Sequence, residues 1–243
     1  MARKPARNPP RKAPRLSAPS SAGTEAPAND RDKIIAAFLG LLAEQGIEQI
    51  GFAAIAEAAG VSLAQLRGEF SSTLGIVAAY LKSVDRAVLA ADFSDMADEP
   101  PRERLFDVLM RRLEVMAAHR DAVRSLLRSA RRNPPLALAL NRLAVRSQQW
   151  MLTAAGVAAA GPRGMVRAQG LAVLLATVLR TWSRDDDPGL ARTMAALDRA
   201  LGRGQRFAGI LDDLCRVPAR LCRLRSRFRR RDRDAEEEEP EAA

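Results

Sequence analysis

Apolar positions recur at steps of three and four through most of the chain, and the breaks in that rhythm fall at glycines, prolines and short polar runs, as in a series of amphipathic helices. Over residues 30–46, Ile34, Phe38 and Leu42 stand four apart, with Asn29 or Asp30 placed to cap the start and Gly46 to stop the end. The stretch 52–70, FAAIAEAAGVSLAQLRGEF, reads as two short helices joined by a tight turn at Gly60 and Val61. Ile55, Ala56 and Ala59 give the first of these a face small enough for another helix to cross closely. Gly60 supplies the positive φ of a C-cap, and Ser62 with Gln65 three residues on forms a capping box. The second helix then begins at Leu63. The spacing predicts Leu63, Leu66 and Phe70 facing inward, with Ala64, Gln65, Arg67, Gly68 and Glu69 exposed. Ser71 or Ser72 caps a fourth helix through Ile76, Tyr80, Val84 and Val88, and Asp98, Pro100 and Pro101 break the chain after it.

Beyond that break the pattern predicts helices over 102–119, 121–132, 135–155, 163–180 and 188–201, separated by prolines and glycines. Leu105, Leu109, Leu113 and Met116 form one apolar stripe, while Leu171, Leu174, Leu175 and Val178 belong to a helix apolar enough to be central. A last helix over 207–231 carries Ile210, Leu214, Val217, Leu221, Leu224 and Phe228 at alternating steps of four and three. Arg216, Arg220, Arg223, Arg227 and Arg230 fill its neighbouring faces. Such a basic amphipathic helix either rests on an anionic membrane or docks on its own protein core. Pro218 interrupts it, and the acidic run Glu236 to Glu239 follows.

Ile55-Ala56, Ala59-Gly60-Val61-Ser62, Leu66, Phe70 and Ile76 resemble the signature residues of the tetracycline-repressor (TetR) family. The resemblance implies an all-α protein with an N-terminal helix-turn-helix bundle and a larger C-terminal helical domain for ligand binding and dimerisation. It implies DNA binding through Ser62, Ala64, Gln65, Arg67 and Thr73, with Gln65 and Arg67 reading bases in the major groove. At four positions where the family usually has Gly, Tyr, His or another aromatic, and Lys, this chain has Ala64, Arg67, Glu69 and Thr73. The resemblance further implies a homodimer through a four-helix interface built by 163–180 and 188–201, and a small apolar ligand in the larger domain. The order Trp182, Asp186, Thr193-Met194-Ala195-Ala196-Leu197-Asp198-Arg199-Ala200-Leu201 is also similar to TetR-fold lipid-binding proteins of ubiquinone biosynthesis. That second resemblance implies an accessory protein without operator recognition.

Composition agrees with an all-α reading: 47% of the 243 residues are hydrophobic but only 4% aromatic, and β-branched runs bounded by turns are hard to find. The formal charge of +10 implies an acidic partner such as DNA or anionic lipid, or serves solubility alone. It is unevenly placed. Over 30–90 the cations Arg31, Lys33, Arg67, Lys82 and Arg86 are outnumbered by Asp30, Asp32, Glu44, Glu48, Glu57, Glu69 and Asp85. Residues 1–29 instead carry Arg3, Lys4, Arg7, Arg11, Lys12 and Arg15 among prolines and serines. They predict a disordered basic arm that lies along phosphates or is simply solvated. The domain plan is therefore this arm at 1–29, a helix-turn-helix domain at 30–91, a ligand-binding and dimerisation domain at 102–204, the basic helix at 207–231 and an acidic tail at 232–243.

Enzymatic chemistry finds little to work with. A single histidine, His119, leaves no basis for a histidine metal site or a Ser-His-Asp triad, and is expected at a helix end. Asp187 before Pro188 reads as an N-cap with proline at the first helical position, so Asp185, Asp186 and Asp187 are not taken as a cation site. Gly161-Pro162-Arg163-Gly164 is a turn at a helix entry, without the context of a nucleotide loop. Trp150 and Trp182 lie in long helices, as pocket lining or as core and interface packing. Cys215 and Cys222, seven apart, suit a reduced chain in the cytoplasm rather than a zinc or redox motif. No cofactor, metal or catalytic residue is expected.

Overall fold

Several helices of this chain begin at side-chain caps as well as carrying apolar stripes. A computed structural model describes residues 29–91, 93, 96 and 98–204, and every described regular element is helical. The basic arm, the 207–231 helix with Val217, Leu221, Leu224, Phe228 and its arginines, the acidic tail and both cysteines lie outside the described residues. In α1 (Asp30–Glu44), the Asn29 side chain accepts from Asp32 N, and Ile34, Ile35, Phe38, Leu39 and Leu42 are buried. After a short 3-10 turn at Ile47–Gln49 come α2 (Phe52–Ala59), α3 (Leu63–Glu69) and α4 (Thr73–Leu89). Ser72, one of the two serines expected to cap α4, does so by accepting from Gly75 N at 3.0 Å.

The remaining helices are α5 (Pro101–Val115), α6 (Arg120–Arg132), α7 (Pro134–Ala154), α8 (Gly161–Trp182) and α9, which runs from residue 191 through 204. Helix α9 starts three residues later than Pro188 suggested. The chain first turns through 187–190, with Leu190 N donating to Asp187 O and Leu190 itself at φ 52°. Two carboxylates still cap the helix. Asp187 Oδ2 accepts from Ala191 N at 2.9 Å, and buried Asp185 Oδ2 accepts from Thr193 N at 2.8 Å and Thr193 Oγ1 at 2.6 Å. The Thr193 hydroxyl, outweighing burial, holds the Asp185 carboxyl below its usual range. These aspartates therefore organise a helix start, and no group of three or more potential metal ligands is found among the described residues.

One continuous apolar core joins the helix-turn-helix unit to the larger one. Helix α6 lies along α1, where Ser125 Oγ donates to Gln45 O at 2.8 Å and Ser129 Oγ to Glu48 Oε2 at 2.9 Å. Helix α4 packs against α1, α5 and α7 and buries Ile76, Val77, Tyr80, Val84 and Val88, and a buried polar cluster crosses from it to α5 and α7. Arg112 Nη1 of α5 and Ser147 Oγ of α7 both donate to Asp85 Oδ1 of α4, the serine at 2.7 Å. The neighbouring Tyr80 hydroxyl is pushed up to about 12 by burial, against the opposing pull of Arg112. Tyr80 meets the His119 ring edge to face at 5.5 Å, and burial lowers the His119 pKa. His119 closes the Ala117–His119 turn just before α6, at a helix end as its position implied.

Candidate nucleic-acid interface

The turn between α2 and α3 is built by two local devices. Gly60 adopts φ 65° and ψ 33°, a left-handed conformation natural to glycine, and Val61 N reaches back to Ala56 O at 3.0 Å. Ser62 then closes both halves of the capping box: its Oγ accepts from Gln65 N at 3.2 Å, and its own N donates to Gln65 Oε1 at 2.9 Å. Leu66 and Phe70 anchor the helix in the core. Leu63 does not. The expectation that it faces inward is corrected by its 57% exposure: Leu66 within the helix and Phe70 at its C-cap are buried, but Leu63, the first residue of the helix, is left uncovered.

Polar contacts tie α3 to the start of α1. Gln65 Nε2 donates to Asp30 Oδ2 at 2.9 Å, while its Oε1 also accepts from Ser62 Oγ at 2.8 Å. Glu69 Oε2 pairs with Arg31 Nη1 at 3.2 Å, and the Arg31 guanidinium lies 4.6 Å from the centre of the Phe70 ring. Arg67, in contrast, is exposed and pairs with no described residue. Ser62 and Ala64 are exposed, and Thr73 is half-buried as the first residue of α4. Ser62, Ala64, Gln65 and Arg67 thus share one short helix with its cap, Thr73 begins the next helix, and Gln65 has its polar atoms engaged within the protein. Sequence reasoning missed the apolar side of this region. Phe52, 47% exposed at the start of α2, and Leu63 line a cleft of about 370 Å³ with Leu66, Arg67, Phe70 and Ser71.

The larger unit has a wider, open recess of about 830 Å³ where α7 runs into the α7–α8 loop. Arg146, Gln149, Trp150, Thr153 and residues 156–160 line it. The two tryptophans part company: Trp150 is 55% exposed in this recess, whereas Trp182 is fully buried in the core. Gly164 packs so closely on the loop that a Cβ there would stand 2.1 Å from Ala159 O, so the Gly161-Pro162-Arg163-Gly164 stretch is shaped by packing.

Solved structures that superpose on most of this chain are TetR-type regulators. The chain has the TetR-regulator fold. A TetR transcriptional regulator from Nitrosomonas europaea superposes with a TM-score of 0.57 at 22% identity, over 72% of this chain and 97% of that one. A TetR transcriptional regulator from Rhodococcus sp. RHA1 gives 0.52 at 19% identity, over 72% and 95%. A putative TetR-family regulator from Syntrophomonas wolfei gives 0.53 at 16% identity, over 74% and 94%. No family model and no curated protein matches the chain. Identities this low establish a shared TetR fold and leave function to be argued from the site. Among the described residues, no helix is long and apolar enough to cross a membrane.

Proposed function

We propose that this TetR-fold chain is a DNA-binding transcriptional regulator that works as a homodimer, with α3 as its recognition helix. The observation that carries the reading is Arg67: an exposed guanidinium without a described partner, on a helix fixed by a complete cap and two buried anchors. A guanidinium presented in this way suits the O6 and N7 acceptors of guanine in the major groove. In a mobility-shift assay with the DNA flanking its own gene, the protein should bind specifically, and Arg67→Ala should weaken binding by roughly 5- to 150-fold. Equal affinity for random DNA would remove the reading.

Non-specific affinity has a different source in this proposal. The helix-turn-helix unit carries more carboxylates than cations, so the phosphate-neutralising charge falls to the N-terminal arm with its six basic residues. Deleting residues 1–28 should weaken binding strongly and flatten its salt dependence; an unchanged salt slope would show that the helical unit suffices. Dimerisation is assigned to α8 and α9. Val166, Gly170, Val173 and Thr177 form an uncharged exposed stripe on α8, with Val166 and Val173 each more than half exposed. A small apolar ligand belongs to the same reading, and the recess beside Trp150 offers it an apolar wall open to solvent.

A second reading, a TetR-fold lipid-binding accessory protein without operator recognition, is favoured by one observation: Gln65 and Glu69 of the recognition helix are both engaged by α1. Mass spectrometry of the purified protein separates the two. Co-purified polyprenyl lipid supports the accessory reading, and ligand-free protein that binds an operator removes it.

A further inference from the structure

One exposed leucine on a protein surface needs no explanation. Here, however, two large apolar side chains, Leu63 and Phe52, border the same cleft as the unpaired cation Arg67. Gln65, the other long polar side chain expected to read bases, is engaged by Ser62 and Asp30, and Glu69 is paired with Arg31. The free long side chains on the α3 side of this cleft are therefore a hydrocarbon and a guanidinium. They lie four residues apart, one helical turn, which separates their Cβ atoms by about 5–6 Å.

In the major groove thymine alone offers a methyl group, and guanine offers the paired acceptors O6 and N7. Successive base pairs rise by about 3.4 Å, so a separation of one helical turn spans at most two steps. We propose that Leu63 is a specificity-determining residue that packs on the C5-methyl of a thymine within two base pairs of the guanine read by Arg67, with Phe52 completing the apolar wall. The proposal rests on the DNA-reading function above. It replaces Gln65 with Leu63 as the second reader of the half-site, and it accounts for apolar surface on a face otherwise suited to polar groups.

The test begins by selecting binding sequences from a random duplex library with the full chain. In the recovered duplex each thymine is then replaced singly by deoxyuridine, which removes only the methyl, and each guanine by 7-deazaguanine, which removes N7. One deoxyuridine, within two base pairs of the most sensitive guanine, should weaken binding about fourfold, the worth of one buried methyl. Leu63→Ala should weaken binding to the unmodified duplex by a similar or larger factor and no longer distinguish thymine from deoxyuridine there. Leu63→Gln should do the same. Both variants should keep the thermal midpoint of the parent, since the side chain lies outside the core. Recovery of a sequence insensitive to every deoxyuridine, or equal deoxyuridine sensitivity in parent and Leu63→Ala, overturns the assignment to Leu63 alone. Intact DNA affinity in Leu63→Gln would do likewise and favour an apolar protein segment as occupant of the cleft. Failure to recover any sequence defeats the DNA-reading function itself.

Discussion

Two sets of polar contacts hold the helix-turn-helix unit together, and they differ in burial. On the outer side, Gln65 reaches Asp30 and Glu69 reaches Arg31, fastening α3 to the first turn of α1 with partners that remain open to water. On the inner side, Asp85 of α4 is enclosed by Arg112 of α5 and Ser147 of α7, with side-chain exposures of only 12% for Asp85 and 3% for Arg112. Exposed pairs gain little because water competes for both partners, whereas a buried charge that loses its partner has nowhere to be solvated. The outer contacts therefore orient the side chains of α3 while adding little to stability. The inner cluster instead fixes α4 against α5 and α7 of the larger unit.

Breaking the inner cluster should have the largest effect. Arg112→Met leaves the Asp85 carboxylate buried without a counter-charge, held only by the Ser147 hydroxyl, and should lower unfolding free energy by about 3–5 kcal/mol in chemical denaturation. The double variant Asp85→Leu/Arg112→Met removes both charges and should recover most of that loss; no recovery would mean the cost comes from packing. Next in size is Gly60→Ala. A Cβ there meets no atom within 4 Å, so the expected penalty of about 1–2 kcal/mol comes only from the left-handed backbone, read as a lowered denaturation midpoint. Ser62→Ala removes the cap of α3 and should cost about 1 kcal/mol, with earlier amide exchange in α3 than in α4. Smallest of all, Glu69→Ala should change stability by less than about 1 kcal/mol, as measured by thermal melting. If Glu69→Ala proved as costly as Arg112→Met, the contrast between outer and inner contacts would fail.

Much of the helical framework was legible because its signals are local. Asn29, Gly60, Ser62 with Gln65, and Ser72 each act on backbone within three or four residues, so their roles survive whatever the rest of the chain does. The start of α9 shows where local reading stops. Asp187 and Pro188 have the form of a helix entry, yet the capping carboxylates reach forward to Ala191 and Thr193 because the chain first turns at Leu190. Proline fixes its own φ but not the register in which the following helix meets its neighbours.

At the candidate interface the sequence by itself determined that α3 is a capped short helix whose outer face bears Ala64, Gln65, Arg67, Gly68 and Glu69. Only the tertiary structure decided which of those groups remain available. Gln65 is occupied because α1 brings Asp30 to it across 35 positions of sequence, and Glu69 because Arg31 comes from the same turn. Leu63 shares the face of Leu66 and Phe70 by period, yet it is exposed because it stands at the first position of the helix, where no neighbouring element covers it. Asp85 and Arg112, likewise, are two unremarkable charges until α4 and α5 pack and bury them together. Caps and periods depend on bonds between near neighbours, whereas availability depends on which distant groups share the same few ångströms, and that is settled by packing.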